Sequence, residues 1–268
     1  MKNYSIEDYE RPSVAADAVV FGIDTEKSTA RNRLDKKKLQ VLLIKRGEEP
    51  FADQYALPGG FLRKGETIEE TALRELKEEA GVADPKIMLV NVYSEIDRDP
   101  RGWIISAAFL ALTKTVELST EDNSDASEAV WFDFFYSENG DDSIITLIND
   151  KLSISLKYRN GRFLPYCKDV PESVRIAFDH AQIIYDAYKK LQAEVVNNDI
   201  IFELMPDLFT ISDLQQPSEA IIGHKIAGAY FRRKMSSKIY ETELYDGVAA
   251  HRTSKLYAKI EDKEEGGK

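Results

Sequence analysis

Residues 60–82 read GFLRKGETIEETALRELKEEAGV. The opening, from Pro58-Gly59-Gly60 to Gly65, is glycine-rich and reads as a loop. Thr67 to Ala80 are nearly all good helix formers, and Gly81 stands where a helix takes a left-handed residue after its last turn. At about 100° per residue, Glu75, Glu78 and Glu79 share one helical face, while Ala72, Leu73, Leu76 and Ala80 form a separate apolar stripe suited to a core. Carboxylates crowded on one face repel each other unless a cation sits among them. A hard divalent ion, Mg²⁺ or Mn²⁺, suits such oxygen donors and also binds substrate phosphates. The alternative is a solvated helix in which Glu70, Arg74 and Glu78 pair at i, i+4.

The spacing resembles the Nudix box, Gly-x5-Glu-x7-Arg-Glu-U-x-Glu-Glu-x-Gly-U with U aliphatic. It matches at every specified position, from Gly60 through Glu66, Arg74, Glu75, Leu76, Glu78 and Glu79 to Gly81 and Val82. Fixed letters with an average usage of roughly 5–8% each leave little room for chance. The resemblance implies an α+β chain with a Nudix α/β/α sandwich whose box grips a divalent metal, Mg²⁺ or Mn²⁺, and a diphosphate. It further implies that Glu75, Glu78 and Glu79 are metal ligands, with the Gly60 carbonyl completing the set. Arg74 would then orient its glutamate neighbours, and one carboxylate, Glu66 among them, would assist proton removal.

The composition sets outer bounds. The 268 residues, 43% apolar and 31% charged, suit a soluble globular protein of one large or two ordinary domains. A net charge of −11 argues against a surface that is nucleic-acid footprint throughout, so any DNA contact must be local. The one cysteine, Cys167, excludes an internal disulfide and fits a reducing cytosol. MKNYSIEDYE lacks the apolar run of a signal peptide, and no stretch suits a bilayer, so a cytoplasmic protein without membrane contact is expected.

Outward from the box, residues 14–23 and 39–45 predict paired strands, with an exposed loop over 24–38 and Lys36-Lys37-Lys38 as a solvated turn. Residues 86–96 and 103–112 predict two more, joined by the turn Asp97-Arg98-Asp99-Pro100-Arg101-Gly102. Arg98 and Arg101 either decorate the surface or, with Arg46, face a diphosphate, whose oxygens match the arginine fork. After a polar loop, Glu128 to Phe132 resembles the late strand of Nudix domains, whose acidic residue often reaches the metal site. Glu128 is then either a further ligand or the catalytic base, or else an exposed carboxylate at a loop end. Asn160-Gly161 signals a hairpin near 154–167, and apolar spacing predicts a long helix over 171–195. His180 reads as structural, since no Cys or second His stands at metal spacing.

From residue 200 the pattern changes. A capped short helix near Phe209–Leu214, the end of another near Glu219–Ile222, a third over Lys225–Met235 and two β-prone runs suggest a winged helix. The division expected is 1–198 for the first domain and 199–268 for the second. The chain as a whole resembles the Nudix-related transcriptional regulators, which join an ADP-ribose-pyrophosphatase-like domain to a winged helix. Arg98 to Gly102, Ala177 to His180, Phe209-Thr210, Phe231 to Lys234 and the His251-Arg252…Leu256-Tyr257 run carry that resemblance. It implies DNA contacts by Arg232, Arg233, Lys234 and Arg252, made as a homodimer. Two departures stand out. Many such regulators have eroded boxes, whereas this one is whole, and Ala227-Gly228-Ala229-Tyr230 replaces the usual polar, basic run. The favoured expectation is a metal-dependent hydrolase acting on a nucleoside diphosphate linked to another moiety, ADP-ribose-like. The alternative is a sensor that binds such a ligand and reads DNA through the winged helix.

Overall fold

The computed structural model of the protein describes residues 8–26, 36–114, 118, 126–246 and 254–260. The first helix, α1 (Ile68–Ala80), ends where the sequence predicts and begins one residue later, with Thr67 as its extended N-cap. The Thr67 hydroxyl accepts from Glu70 N–H, and the Glu70 carboxylate accepts from Thr67 N–H, a capping box that satisfies two otherwise orphaned donors. Gly81 at φ 70° closes the last turn in the left-handed region.

Ten strands form one mixed sheet: β1 (Ser13–Glu26), β2 (Lys36–Arg46), β3 (Tyr55–Ala56), β4 (Gly59–Phe61), β5 (Lys86–Tyr93), β6 (Ile104–Leu112), β7 (Ala126–Asn139), β8 (Asp142–Ile148), β9 (Ser153–Arg159) and β10 (Arg162–Phe163). Their order is β10-β9-β8-β7-β2-β1-β6-β5, with β3 beside β2 and β4 beside β1. β1 runs parallel to β6, while β4 pairs antiparallel with β1 at Ala15 to Asp17. Because strand side chains alternate, the two faces of β1 take different partners. Ala16, Ala18 and Val20 share clusters with Ala72, Leu76 and Ala80 of α1. Phe21, on the other face, meets Phe134 and Tyr188 of the second helix, α2 (His180–Asn197). Leu76 is fully buried, which contributes about 1.5–3 kcal/mol.

Several sequence expectations need correction. Residues 24–26 and 36–38 extend β1 and β2, so the lysine run is strand rather than turn: Lys37 donates to Thr25 and Lys38 pairs with Glu26. β8 was not expected; Gly140 at φ 63° turns β7 back into it. The Asn160-Gly161 hairpin forms as predicted, with φ of 49° and 74°. The helix foreseen from Pro171 starts only at His180. Ala177 N–H donates to the Tyr55 carbonyl at 2.8 Å, and Phe178 takes φ 53°, which no right-handed helix accommodates.

The C-terminal part is a winged helix. α3 (Ile211–Ile222) is one helix capped by a Thr210–Asp213 box, where two short ones were expected. α4 (Gly228–Met235) buries Phe231 and Met235, and β11 (Ile239–Asp246) pairs antiparallel with β12 (Ser254–Lys259) as the wing. The chain divides into two compact units, Met1–Gly22 with Gln40–Lys190, and Ile23–Leu39 with Leu191–Lys268. The division after Lys190 falls inside α2. Among the described residues no helix is long and apolar enough to cross a membrane.

Candidate active site

The acidic face of α1 is organised by one guanidinium. Arg74 Nε donates to Glu66 Oε1 at 2.8 Å and Nη2 to Glu66 Oε2 at 3.2 Å. Its Nη1 reaches Glu75 at 2.5 Å and Glu78 at 3.2 Å, and Nη2 also donates to the Phe61 carbonyl at 3.1 Å. Arginine has five donors in a rigid fork, so one side chain can hold three carboxylates and a loop carbonyl in register. The Glu70–Arg74 pairing considered in the sequence does not form, because Glu70 is used as a cap. Partial burial works against the Arg74 charge, yet its bonds to Glu66 and Glu75 hold its pKa raised; the same contact lowers that of Glu66. Glu75 goes the other way, pushed up by its burial and by neighbouring Glu78 despite Arg74.

α1 sits against β4 closely enough to demand small residues. A Cβ on Gly60 would fall 2.1 Å from Glu75 Oε1, and one on Gly59 would fall 2.5 Å from both Asp17 Oδ1 and the Ala16 carbonyl. Gly59 N–H donates to Glu79 Oε2 at 2.8 Å, and Glu79 is only 4% exposed. These groups line a cleft of about 320 Å³ that also takes in Arg63, Phe61, Arg46, Arg98, Arg101 and Phe178.

At the base of the cleft Arg98 is forked onto Asp179, at 2.8 and 2.7 Å, with Asp17 at 3.6 Å. The Ser106 hydroxyl donates to Asp17 at 2.5 Å. His180 Nδ1 accepts from Leu57 N–H at 2.9 Å, which leaves the neutral ring's proton on Nε2, 3.6 Å from Asp17. His180 is therefore structural, as the sequence reading has it, while also lining the cleft. Along the rim, Arg101 pairs with Asp99 at 2.7 Å and lies over the rings of Phe61 and Phe178, 5.0 and 5.3 Å from their centres. Arg46 lies 5.0 Å from the Phe178 ring and donates to the Pro50 carbonyl.

The structure thus brings Gly60, Glu66, Arg74, Glu75, Glu78 and Glu79 together with Arg46, Arg98 and Arg101. It does not bring Glu128 to them. Glu128 lies within β7, where it pairs across the sheet with Lys45 and accepts from Lys151 at 2.8 Å, and it is not among the residues lining the cleft. Among the described residues no three of His, Cys, Asp and Glu converge as a ready ligand set. The glutamates of α1 are turned instead to Arg74, to Arg63 and to Gly59 N–H. Sequence reasoning passed over Arg63 as a site residue, although it lies inside the box, and Asp17, which carries no local signal; Phe178 and Asp179 entered only through the Ala177 to His180 run that carries the regulator resemblance. In the winged helix Arg232 and Arg233 are exposed on α4, Arg233 lying 5.9 Å from the Tyr230 ring centre. Lys234 is held by the Val196 carbonyl. Arg252 lies outside the described residues.

With this geometry in place, comparison with known proteins is informative. Residues 29–135 match the NUDIX domain family and residues 201–258 the NrtR DNA-binding winged helix domain family. An ADP-ribose pyrophosphatase from Methanocaldococcus jannaschii is 41% identical over 133 residues, half of this chain and 68% of that protein. The ADPR responsive transcriptional repressor NtrR of Acinetobacter baylyi is 27% identical over 261 residues, 96% of this chain and 86% of that one. The crystal structure of a MutT/nudix family protein from Enterococcus faecalis superposes with a TM-score of 0.74 at 30% identity, covering 96% of this chain and 90% of that one.

Proposed function

Since the chain belongs to the Nudix family and ends in an NrtR-type winged helix, we propose that its cleft binds and hydrolyses a nucleoside diphosphate joined to a second moiety, of the ADP-ribose class. One observation carries the reading: a single guanidinium, Arg74, holds Glu66, Glu75 and Glu78 in register, and of these Glu75 and Glu78 line a cleft together with Glu79 and several arginines. A complete acidic face beside arginines suits a ligand that is itself anionic and arrives with a cation.

The donor set fits a hard divalent ion, because every side chain it offers is a carboxylate. Glu75, Glu78 and Glu79 would hold Mg²⁺ or Mn²⁺, with the Gly60 carbonyl beside them. When bound, such an ion neutralises the diphosphate and lowers the pKa of an attacking water. The protein's own groups do the rest. Arg74 orients Glu66 and Glu75 so that one carboxylate would take the proton of the attacking water as its oxygen bonds to phosphorus and the bridging oxygen leaves. Arg46 meets phosphate oxygens at the rim, where Asp99 holds Arg101 over the rings of Phe61 and Phe178. Arg98, locked to Asp179, shapes the base. The test is a hydrolysis screen over nucleoside diphosphate sugars, dinucleotide cofactors and nucleoside triphosphates, with Mg²⁺ or Mn²⁺ and with excess chelator. Turnover of an ADP-ribose-like compound that chelator abolishes is expected; none across the panel, or turnover indifferent to chelator, removes the reading.

A second reading rests on the winged helix. α4 leaves Ala229, Tyr230, Arg232 and Arg233 exposed, and from His224 to Lys259 the lysines and arginines outnumber Glu241, Glu243 and Asp246. We infer that this unit binds duplex DNA, with two copies of the chain acting together because so modest a basic patch supplies few phosphate contacts. The NtrR relative is named for repression responsive to ADPR. In this reading the ligand of the cleft is also the signal, and hydrolysis would end it.

A further inference from the structure

Two arginines reach Glu78, and they are not equivalent. Arg74 is 15% exposed and tied at once to Glu66, Glu75, Glu78 and the Phe61 carbonyl. Arg63 comes from the loop between β4 and α1 and is 59% exposed. Its Nη1 and Nη2 go to the two oxygens of Glu78, both at 3.2 Å, and among the described residues its guanidinium has no other hydrogen-bond acceptor. It lines the same cleft as Arg46, Arg98 and Arg101. Arg98 and Arg101 are already forked onto Asp179 and Asp99.

We propose that Arg63 is an exchangeable arm of the acidic cluster: it covers Glu78 while no cation is held there, and passes to a diphosphate oxygen when cation and ligand enter. The inference rests on the hydrolase reading above, since it needs Glu78 to be a metal ligand. Its physical basis is a competition for the same two oxygens. An exposed arginine–carboxylate pair contributes little and is screened by salt, whereas a divalent ion brings twice the charge to the same site. Once displaced, a guanidinium with an unfilled fork needs an acceptor, and the paired oxygens of a phosphate match it in shape. Arg74 cannot make that move without releasing Glu66 and Glu75. Arg63 is therefore the arginine whose partner is the group the cation would claim, and its release supplies positive charge to the ligand at the moment the cation has arrived.

The exchange of Arg63 has opposite effects on the two ligands. Mn²⁺ binding to the full chain, followed by electron paramagnetic resonance of the free ion, is compared for the parent protein, Arg63→Ala and Arg63→Lys. Arg63→Ala is expected to hold Mn²⁺ roughly two- to fivefold more tightly, because the competitor is gone. With Mn²⁺ saturating, its KM for ADP-ribose should rise roughly tenfold, the effect of losing a charged hydrogen bond. Arg63→Lys should fall between in Mn²⁺ affinity and keep the raised KM, since an ammonium lacks the fork. If the parent binds Mn²⁺ and Arg63→Ala binds it equally or more weakly, the exchange is overturned while the hydrolase reading survives. If neither protein binds Mn²⁺, both are overturned.

Discussion

Gly60 and Glu75 approach so closely that a side chain at residue 60 requires the Glu75 carboxylate to move: a Cβ there would lie 2.1 Å from Glu75 Oε1 and 2.5 Å from its carboxyl carbon. The atom in the way is the end of a side chain rather than backbone, so Gly60→Ala can be accommodated by moving the Glu75 carboxylate. Stability should fall by about 1–3 kcal/mol, read from urea midpoints. Metal-dependent turnover should fall about a hundredfold, because the displaced group leaves the alignment that Arg74 imposes. Unchanged turnover would show that the position of Glu75 is immaterial.

Glu78→Gln keeps shape and removes one charge from the crowded face. The fold should survive, since Glu78 is 28% exposed and Arg74 retains Glu66 and Glu75. Turnover at moderate Mg²⁺ should drop by about a hundredfold or more. Near-normal kcat at saturating metal would remove Glu78 from the ligand set.

Asp179→Ala tests the base of the cleft. Arg98 is 5% exposed, and the substitution leaves its guanidinium with the more distant carboxylates of Asp17 and Asp99. Removing one partner of a buried pair costs about 3–5 kcal/mol, and the low end is expected because Asp17 remains at 3.6 Å. A change well under 1 kcal/mol in chemical denaturation would mean the pair is not needed.

The His180 ring gives a pH dependence of definite sign. Burial holds its pKa below the ordinary 6.5, with Asp17 and Asp179 drawing it up and Arg98 and Arg46 pressing it down. The unfolded chain therefore takes up a proton that the folded one refuses as pH drops below 6.5. This contribution to stability is complete above that pH and is lost as pH falls towards the lowered folded value. His180→Asn keeps an acceptor for Leu57 N–H without a titrating ring. Its stability should be lower at neutral pH but flatter across the acid range, as urea midpoints at successive pH values would reveal. Parallel curves for the two proteins would contradict this.

DNA binding by the winged helix should show a steep loss of affinity with salt. The Arg232→Ala, Arg233→Ala double variant should bind more weakly and reduce the salt slope by about two, one for each phosphate contact removed. Hydrolysis should be unaffected, because neither residue lines the cleft. A protein that is monomeric in solution, or that retains no duplex from its own genomic neighbourhood at low salt, would leave this unit without a DNA role.

The sequence by itself determined the parts whose physics is local. The left-handed Gly81, the apolar stripe through Leu76 and the shared face of Glu75, Glu78 and Glu79 all follow from spacing within about twenty residues, and each forms as read. The Asn160-Gly161 turn is equally local. Tertiary structure alone decided what depends on partners far along the chain. Phe178 escapes the helix because Tyr55, from another segment, takes the Ala177 N–H. Arg98, an open choice between surface and substrate, is committed by Asp179, 81 residues away. Glu128 carries a plausible neighbourhood in sequence, yet strand pairing with Lys45 and the bond to Lys151 direct it elsewhere. Helix periodicity and turn chemistry are set by neighbouring residues, whereas a side chain's final partner is set by which distant backbone the sheet register brings alongside it.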